Sequence, residues 1–382
     1  MANINTRSPY YVQIGNAAMT YAICEIYIYT TGFSPPAQPT YTLRTDAVNQ
    51  SAKFEISELI QDYLNPQLNN YSLNQSYNQT TWVDVTTTAY DANDTNLISS
   101  STTRNVASMG YGYFEDGANP QNREMMLISN REILIPEGHV TRFPLDINNA
   151  TNIVYMYKGN EIVNVNVSSA GLAGYQQWKY ITSLATNGTN NNANDWYEAA
   201  EQNEYTIEDN TLLESYWNEG GTWQPIDNVI VEGSLGITTY KINMIPCDQY
   251  DPIKVTFLNK YGAYQDLWFF GNYQKDLQTT KDKYKSNILN GITYDTFNPQ
   301  QKILTKNGNE KLILNSGYYP ENNNEVFKQL LLSRSVYMLI DGEDYPVMVS
   351  SSNIRFKTQL TEKLINYTIN FEFAYDTINN IR

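Results

Sequence analysis

Apolar and polar positions alternate with period two in several stretches of this chain. In the closing segment Ile365, Tyr367, Ile369, Phe371, Phe373 and Tyr375 interleave with Asn366, Thr368, Asn370, Glu372 and Asp376. That spacing predicts a strand with one face in a core and the other wet or paired with a neighbour. Val163, Val165 and Val167 repeat the pattern against Asn164, Asn166 and Ser168. Strands are also predicted over 19–30 and 40–44, around the turn residues Gly32 to Pro36. Others fall in EMMLISNREILIPEG, NIVYMYKGNEIVNVNV and VIVEGSLGITTYKINMIPC. In DPIKVTFLNKYGAYQDLWFFGNY two apolar strands flank the turn-forming Asn259, Lys260, Tyr261 and Gly262. SVYMLI, DGED, YPVMVSS, NIRFKTQL and LINYTINFEFAYD predict a closing antiparallel meander.

Two stretches change period. Ile56, Leu59, Ile60, Tyr63 and Leu64 recur at helical spacing until Pro66, which predicts a short helix near 56–64. EVFKQLLLSR places Val326, Phe327, Leu330 and Leu331 on one helical face. Residues 65–81 and 86–105 are polar and weakly patterned and read as long loops, with Trp82 to Val85 as a short strand between them. The strongest boundary lies in 185–225, where NGTNNNANDW and EAAEQNEYTIEDNTLLES read as an insertion. The predicted fold is mainly β: tandem antiparallel β-sandwich-like domains with long polar loops and one or two short helices. The domains expected are 1–120, 121–225 and 226–382, and no exact internal repeat suggests a solenoid or propeller.

Composition sharpens this picture. The chain has 382 residues, enough for two or three domains of about 100 to 200 residues each. Tyr numbers 32, and aromatic residues reach 13% against 17% charged, which favours packed strands over disorder despite the Asn-rich segments. Net charge is −15, and no run of Lys or Arg stands out, so nucleic acid is not an expected partner. No apolar stretch approaches 18 residues, and the first residues lack the apolar region of a signal peptide. Neither a membrane span nor export is predicted, and synthesis in a cytoplasm is expected.

Candidate chemistry is sparse. His139 is the only histidine, so a multi-histidine metal site is impossible, and its setting in IPEGHVTRF points to a turn. Cys24 and Cys247 lie far apart and read as free core thiols. The glycines of MGYGYFEDG miss the spacings of nucleotide-binding loops. Glu115–Asp116, Glu208–Asp209 and Glu343–Asp344 could supply paired carboxylates, but adjacent acidic residues on loops are usually solvated. Asp91 to Asn96 offers alternating oxygen ligands without the glycine and terminal glutamate of an EF-hand, and reads as a polar loop. No catalytic residue, cofactor or metal is expected. Surface recognition remains, with Trp178, Trp196, Trp217 and Trp223 as interface or glycan-contact aromatics, against the alternative that they pack beneath their own loops.

RSPYYVQI, FEISELIQDYL, KVTFLNKYGAYQDLWFF and KTQLTEKLINYTINFEFAYD together resemble tail- and baseplate-associated virion proteins of tailed phages infecting Bacteroidetes-type bacteria. The resemblance covers the two ends better than the middle and carries no catalytic residues. It implies a structural component of the virion, in the tail tip or baseplate, contacting other virion proteins and forming a homo-oligomeric ring. A neck or capsid position, or a peripheral module that binds a host receptor or surface glycan, is the alternative it leaves open.

Overall fold

The computed structural model describes residues 3–29, 34–64, 68, 80–110, 119, 124–136, 139, 141–146, 149–157, 160–166, 178–182, 216–217, 223–224, 227–247, 249–290, 292–294, 296–351 and 364–377. Strands dominate and pair mostly antiparallel, and the protein is mainly β and sandwich-like. Residues 1–246, 256–266 and 322–334 form one compact unit, and 247–255, 267–321 and 335–382 a second. The expected divisions fell after 120 and 225. The two compact units divide after Pro246, and the second is interrupted twice along the chain.

The first unit holds two cores. One lies on a five-stranded sheet in the order β1 (Asn3–Asn5), β7 (Asn96–Ser108), β6 (Thr80–Tyr90), β3 (Tyr21–Tyr29) and β4 (Tyr41–Asp46), antiparallel except for β1 against β7. Ala22, Cys24, Ile26, Val83 and Val85 line its inner face. The pair β2 (Tyr11–Gly15) and β5 (Ser51–Glu55) closes that face with Ile14 and Phe54, and helix α1 (Ser57–Gln61) adds Ile60. The helix expected over 56–64 is therefore present but shorter.

Residues 86–105, expected as loop, are instead the paired strands β6 and β7 around a tight turn at 91–95. Hydrophobic periodicity is absent because this part of β7 is exposed, and the strands are held by β-branched threonines and cross-strand hydroxyls, as between Thr88 and Ser99 at 3.1 Å. Most of 65–81 lies outside the described residues.

The second core sits on the order β11 (Asn160–Asn166), β10 (Ala150–Tyr157), β15 (Asn228–Gly233), β16 (Gly236–Ile245) and β8 (Glu132–Pro136), with β8 parallel to β16. Strand β9 (Arg142–Asp146), paired with β12 (Trp178–Thr182), brings Phe143 and Leu145 onto Tyr155, Val229, Val231 and Tyr240. β13 (Tyr216–Trp217) pairs antiparallel with β14 (Trp223–Gln224). The segment EMMLISN differs from expectation. Met125, Met126 and Ile128 are buried, but only one bridge, Met126 to Leu145, replaces a strand ladder.

The turn at Asn259 to Gly262 forms as predicted, held by a wholly buried amide. Asn259 Oδ1 accepts from the Tyr261 and Ala263 N–H groups at 3.0 and 3.2 Å, and its Nδ2 donates to Leu127 O at 2.6 Å. Close by, the carboxylate of Asp266 accepts from the Arg142 N–H at 2.9 Å and the Thr256 hydroxyl at 2.6 Å. Helix α2 (Asn324–Leu331) buries Val326, Phe327 and Leu330, as its spacing predicts, together with Gln329, whose Oε1 accepts from Lys260 N at 3.1 Å.

The second unit carries most of a seven-stranded sheet in the order β18 (Tyr264–Phe269), β17 (Ile253–Leu258), β24 (Val336–Ile340), β25 (Glu343–Val349), β27 (Thr368–Phe373), β22 (Gln301–Asn315) and β19 (Tyr273–Lys285). Phe269 meets Phe371 edge-on with centroids 5.7 Å apart, and the buried Tyr319 hydroxyl donates to Trp268 O at 2.7 Å. Two short pairs complete it: β20 (Leu289–Asn290) with β21 (Thr293–Tyr294), and β23 (Tyr319–Pro320) with β26 (Leu364–Ile365). The predicted meander is present as β24, β25 and β27, while NIRFKTQL lies outside the described residues. Among the described residues no helix is long and apolar enough to cross a membrane.

Candidate functional site

Two neighbouring features of the second unit leave apolar side chains in water, a groove on the sheet and an arm that leaves its edge. The groove arises where the alternating stripe of the last strand runs out of core. Ile369 and Phe371 are buried, Phe373 is half-buried, and Tyr375 is 57% exposed. With Tyr273, Tyr345, Leu312, Leu339 and Ile340 the last two line a cavity of 620 Å³. Tyr345 stands edge-on to Phe373 at 6.1 Å and its hydroxyl donates to Glu343 at 3.0 Å. That hydrogen bond, reinforced by the charge on Glu343, raises the Tyr345 phenol above its ordinary range.

Three carboxylates border this lining. Glu310 is held by Lys275 at 2.6 Å, across β19 and β22. Asp251 and Asp341 are exposed and have no ion-pair partner among the described residues. Asp341 and Gly342, both at positive φ, make the tight turn between β24 and β25. Aromatic edges, aliphatic floor and unpaired carboxylates suit a ligand that is apolar and cationic at once.

The arm is the outer part of β19 and β22. Pairing continues from Leu277 opposite Glu310 to Lys285 opposite Gln301, about 30 Å of ribbon. β27 pairs with Lys311 to Asn315, and past it the Thr377 N–H still donates to Gly308 O at 2.7 Å and Asn307 Nδ2 to Asp376 at 2.7 Å, so among the described residues the ribbon has two strands and two open edges from Lys306 outward. Every residue of β19 is exposed. A two-stranded ribbon without a buried face is marginal in water, and open edges invite pairing with another chain.

Its side chains are sorted. Alternation puts Lys281, Lys283 and Lys285 on one face, and the register sets Lys306 directly opposite Lys281. On the other face Asp282 accepts the Thr305 hydroxyl at 2.6 Å. The far end is apolar, with Ile292 fully exposed, Phe297 92% exposed, and Leu289, Ile303 and Leu304 exposed behind them. A search for runs of cations passes over KDKYK, because lysines at period two gather only on a strand. The visible signal is that alternation, with no apolar face, ahead of Asn290 and Gly291.

Residues singled out from the sequence fall elsewhere. Trp217 and Trp223 are direct cross-strand partners, Trp178 pairs in register with Asp146, and Trp196 lies outside the described residues. His139 sits in a turn, its N–H donating to Pro136 O at 3.2 Å. Cys24 is buried in β3, where burial pushes its thiol up to about 12, but Cys247 lies beyond the end of β16 and is only half-buried. It is therefore not the core thiol its apolar neighbours suggested. Asp91 turns its carboxylate on its own loop, accepting from the Asn93 and Thr95 N–H groups at 2.8 Å, which lowers its pKa, and Asp94 accepts from the Tyr21 hydroxyl at 2.7 Å. Glu343 is engaged by Tyr345, and the other two acidic pairs lie outside the described residues. Among the described residues no three His, Cys, Asp or Glu side chains gather as a metal site.

A scan against protein-family models and a search of the curated proteins each return no match.

Proposed function

We propose that this chain is a non-enzymatic structural component of a tailed-phage virion, at the tail tip or baseplate, acting through assembly contacts with other virion proteins and with copies of itself in a ring. The β19–β22 arm carries the reading. It spends about 30 residues of chain on a projection with no core of its own, which gains stability only against a neighbour. The sequence resemblance supplies the particle, and the arm supplies the manner of working.

Cryo-electron microscopy of phage particles carrying this chain tests the proposal. Density for the chain in a ring at the distal end of the tail, with the arm ordered against a neighbour, is the expected result. Particles that lack the chain by mass spectrometry overturn it.

A second reading, a glycan-binding module at the virion periphery, is favoured by the exposed rings of Tyr273 and Tyr375 beside the groove, which could stack on sugar faces. Binding of the purified chain to host surface polysaccharide, lost in Tyr375→Ser, would select that reading.

A further inference from the structure

We propose that the arm of one copy docks into the aromatic groove of a second copy, with the apolar tip on the groove's aliphatic floor and the lysine face against its carboxylates. This deepens the assembly reading by naming the partner.

Charge selects the occupant. Between Leu277 and Asn309 five lysines stand against Asp282 and Asp295, a net +3. The whole chain carries −15, so the remainder carries −18, and another copy presents the most acidic surface the arm is certain to meet. Lys281 opposite Lys306 points the same way, since like charges across a ribbon destabilise it until a carboxylate comes between them. Asp251 and Asp341 are available at the groove.

The tip excludes a purely ionic partner such as a nucleic-acid backbone. Ile292 and Phe297 are almost wholly in water, and phosphates offer nothing to bury them, whereas Leu339, Ile340 and Phe373 do. Nor can the tip fill its own groove. Tyr273 and Lys275 belong to the groove and to the root of the same ribbon, whose continuous pairing carries the tip about 30 Å away. The contact is therefore head to tail: each copy offers one arm and one groove, and repetition closes a ring or extends a filament.

Sedimentation velocity on the full chain tests this with two variants altered only at exposed positions. A tip variant, Ile292→Ser with Phe297→Ser, keeps its groove and loses its arm. A groove variant, Asp251→Lys with Tyr375→Ser, keeps its arm and loses its groove. Wild type should associate at low ionic strength and dissociate as salt rises. Each variant alone should be monomeric, and an equimolar mixture should form a 1:1 dimer and nothing larger, which also demonstrates that both are folded. A wild-type chain that stays monomeric at low salt, a tip variant that still associates, or a mixture without the dimer overturns the contact. Presence of the chain in particles is read separately, so the virion reading and this contact fail by different results.

Discussion

Lys281 and Lys306 stand directly across from each other on the β19–β22 ribbon, a like-charge pair in a chain with 40 acidic residues to choose from. In an isolated monomer the pair weakens the ribbon, and Lys281→Glu replaces repulsion with attraction. Amide hydrogen exchange along 277–309 should slow in the variant at low salt, with the difference vanishing at high salt. Faster exchange would mean that repulsion does not govern the ribbon.

Phe371 is the reverse case, a side chain whose worth lies in burial. It is 1% exposed and packs edge-on against Phe269. Phe371→Ala should cost about 3–5 kcal/mol in urea unfolding of the second unit. Tyr273→Ser, at the exposed sheet edge, should change stability by less than about 0.5 kcal/mol.

Gly262 holds the turn after Asn259 at φ +81, and a Cβ there would meet Gly110 N and Met109 C at 2.8 Å. Both obstacles are backbone and cannot rotate aside. Gly262→Ala should cost about 1–3 kcal/mol, read as a lowered melting temperature, with the far-UV circular dichroism of the folded state retained.

Alkaline pH should weaken the first unit. Burial, then the charge of Glu25, lifts Cys24 from 9.0 to about 12, and burial, then Glu124, lifts Tyr240 from 10.0 to about 12. Between those limits the unfolded chain holds fewer protons than the folded one. Stability is therefore intact below pH 9 and falls as pH rises towards 12. Urea midpoints should drop over that window, and Cys24→Ala should flatten the decline. Midpoints that stay level would show that both groups titrate normally in the folded protein.

Burial made much of this fold legible. The turn at Asn259, helix α2 and the last strand announce themselves because one face must leave water, and that requirement writes a period into the sequence. Where strands are exposed the period vanishes. Threonine and serine in β6 and β7 read as loop, and the arm shows no apolar stripe at all. The groove was half legible. Phe373 and Tyr375 belong to the predicted alternation, but alternation cannot reveal that the core ends at Phe371. The lysine face and the opposition of Lys281 to Lys306 depend on strand register, which no composition window reports.

The interleaving of the two units has a consequence for synthesis. The first is not complete until Arg334 has been made, and the sheet of the second lacks β27, which joins β25 to β22, until Phe373 follows. The first unit can therefore be complete while the second still waits for β27, a message truncated between Arg334 and the last strand leaves the second sheet without the strand that joins β25 to β22, and a gene duplication cannot move either unit as one contiguous cassette. The arm alone, a contiguous hairpin entered and left at neighbouring points of the sheet, is free to be lengthened, shortened or exchanged in evolution without disturbing the rest.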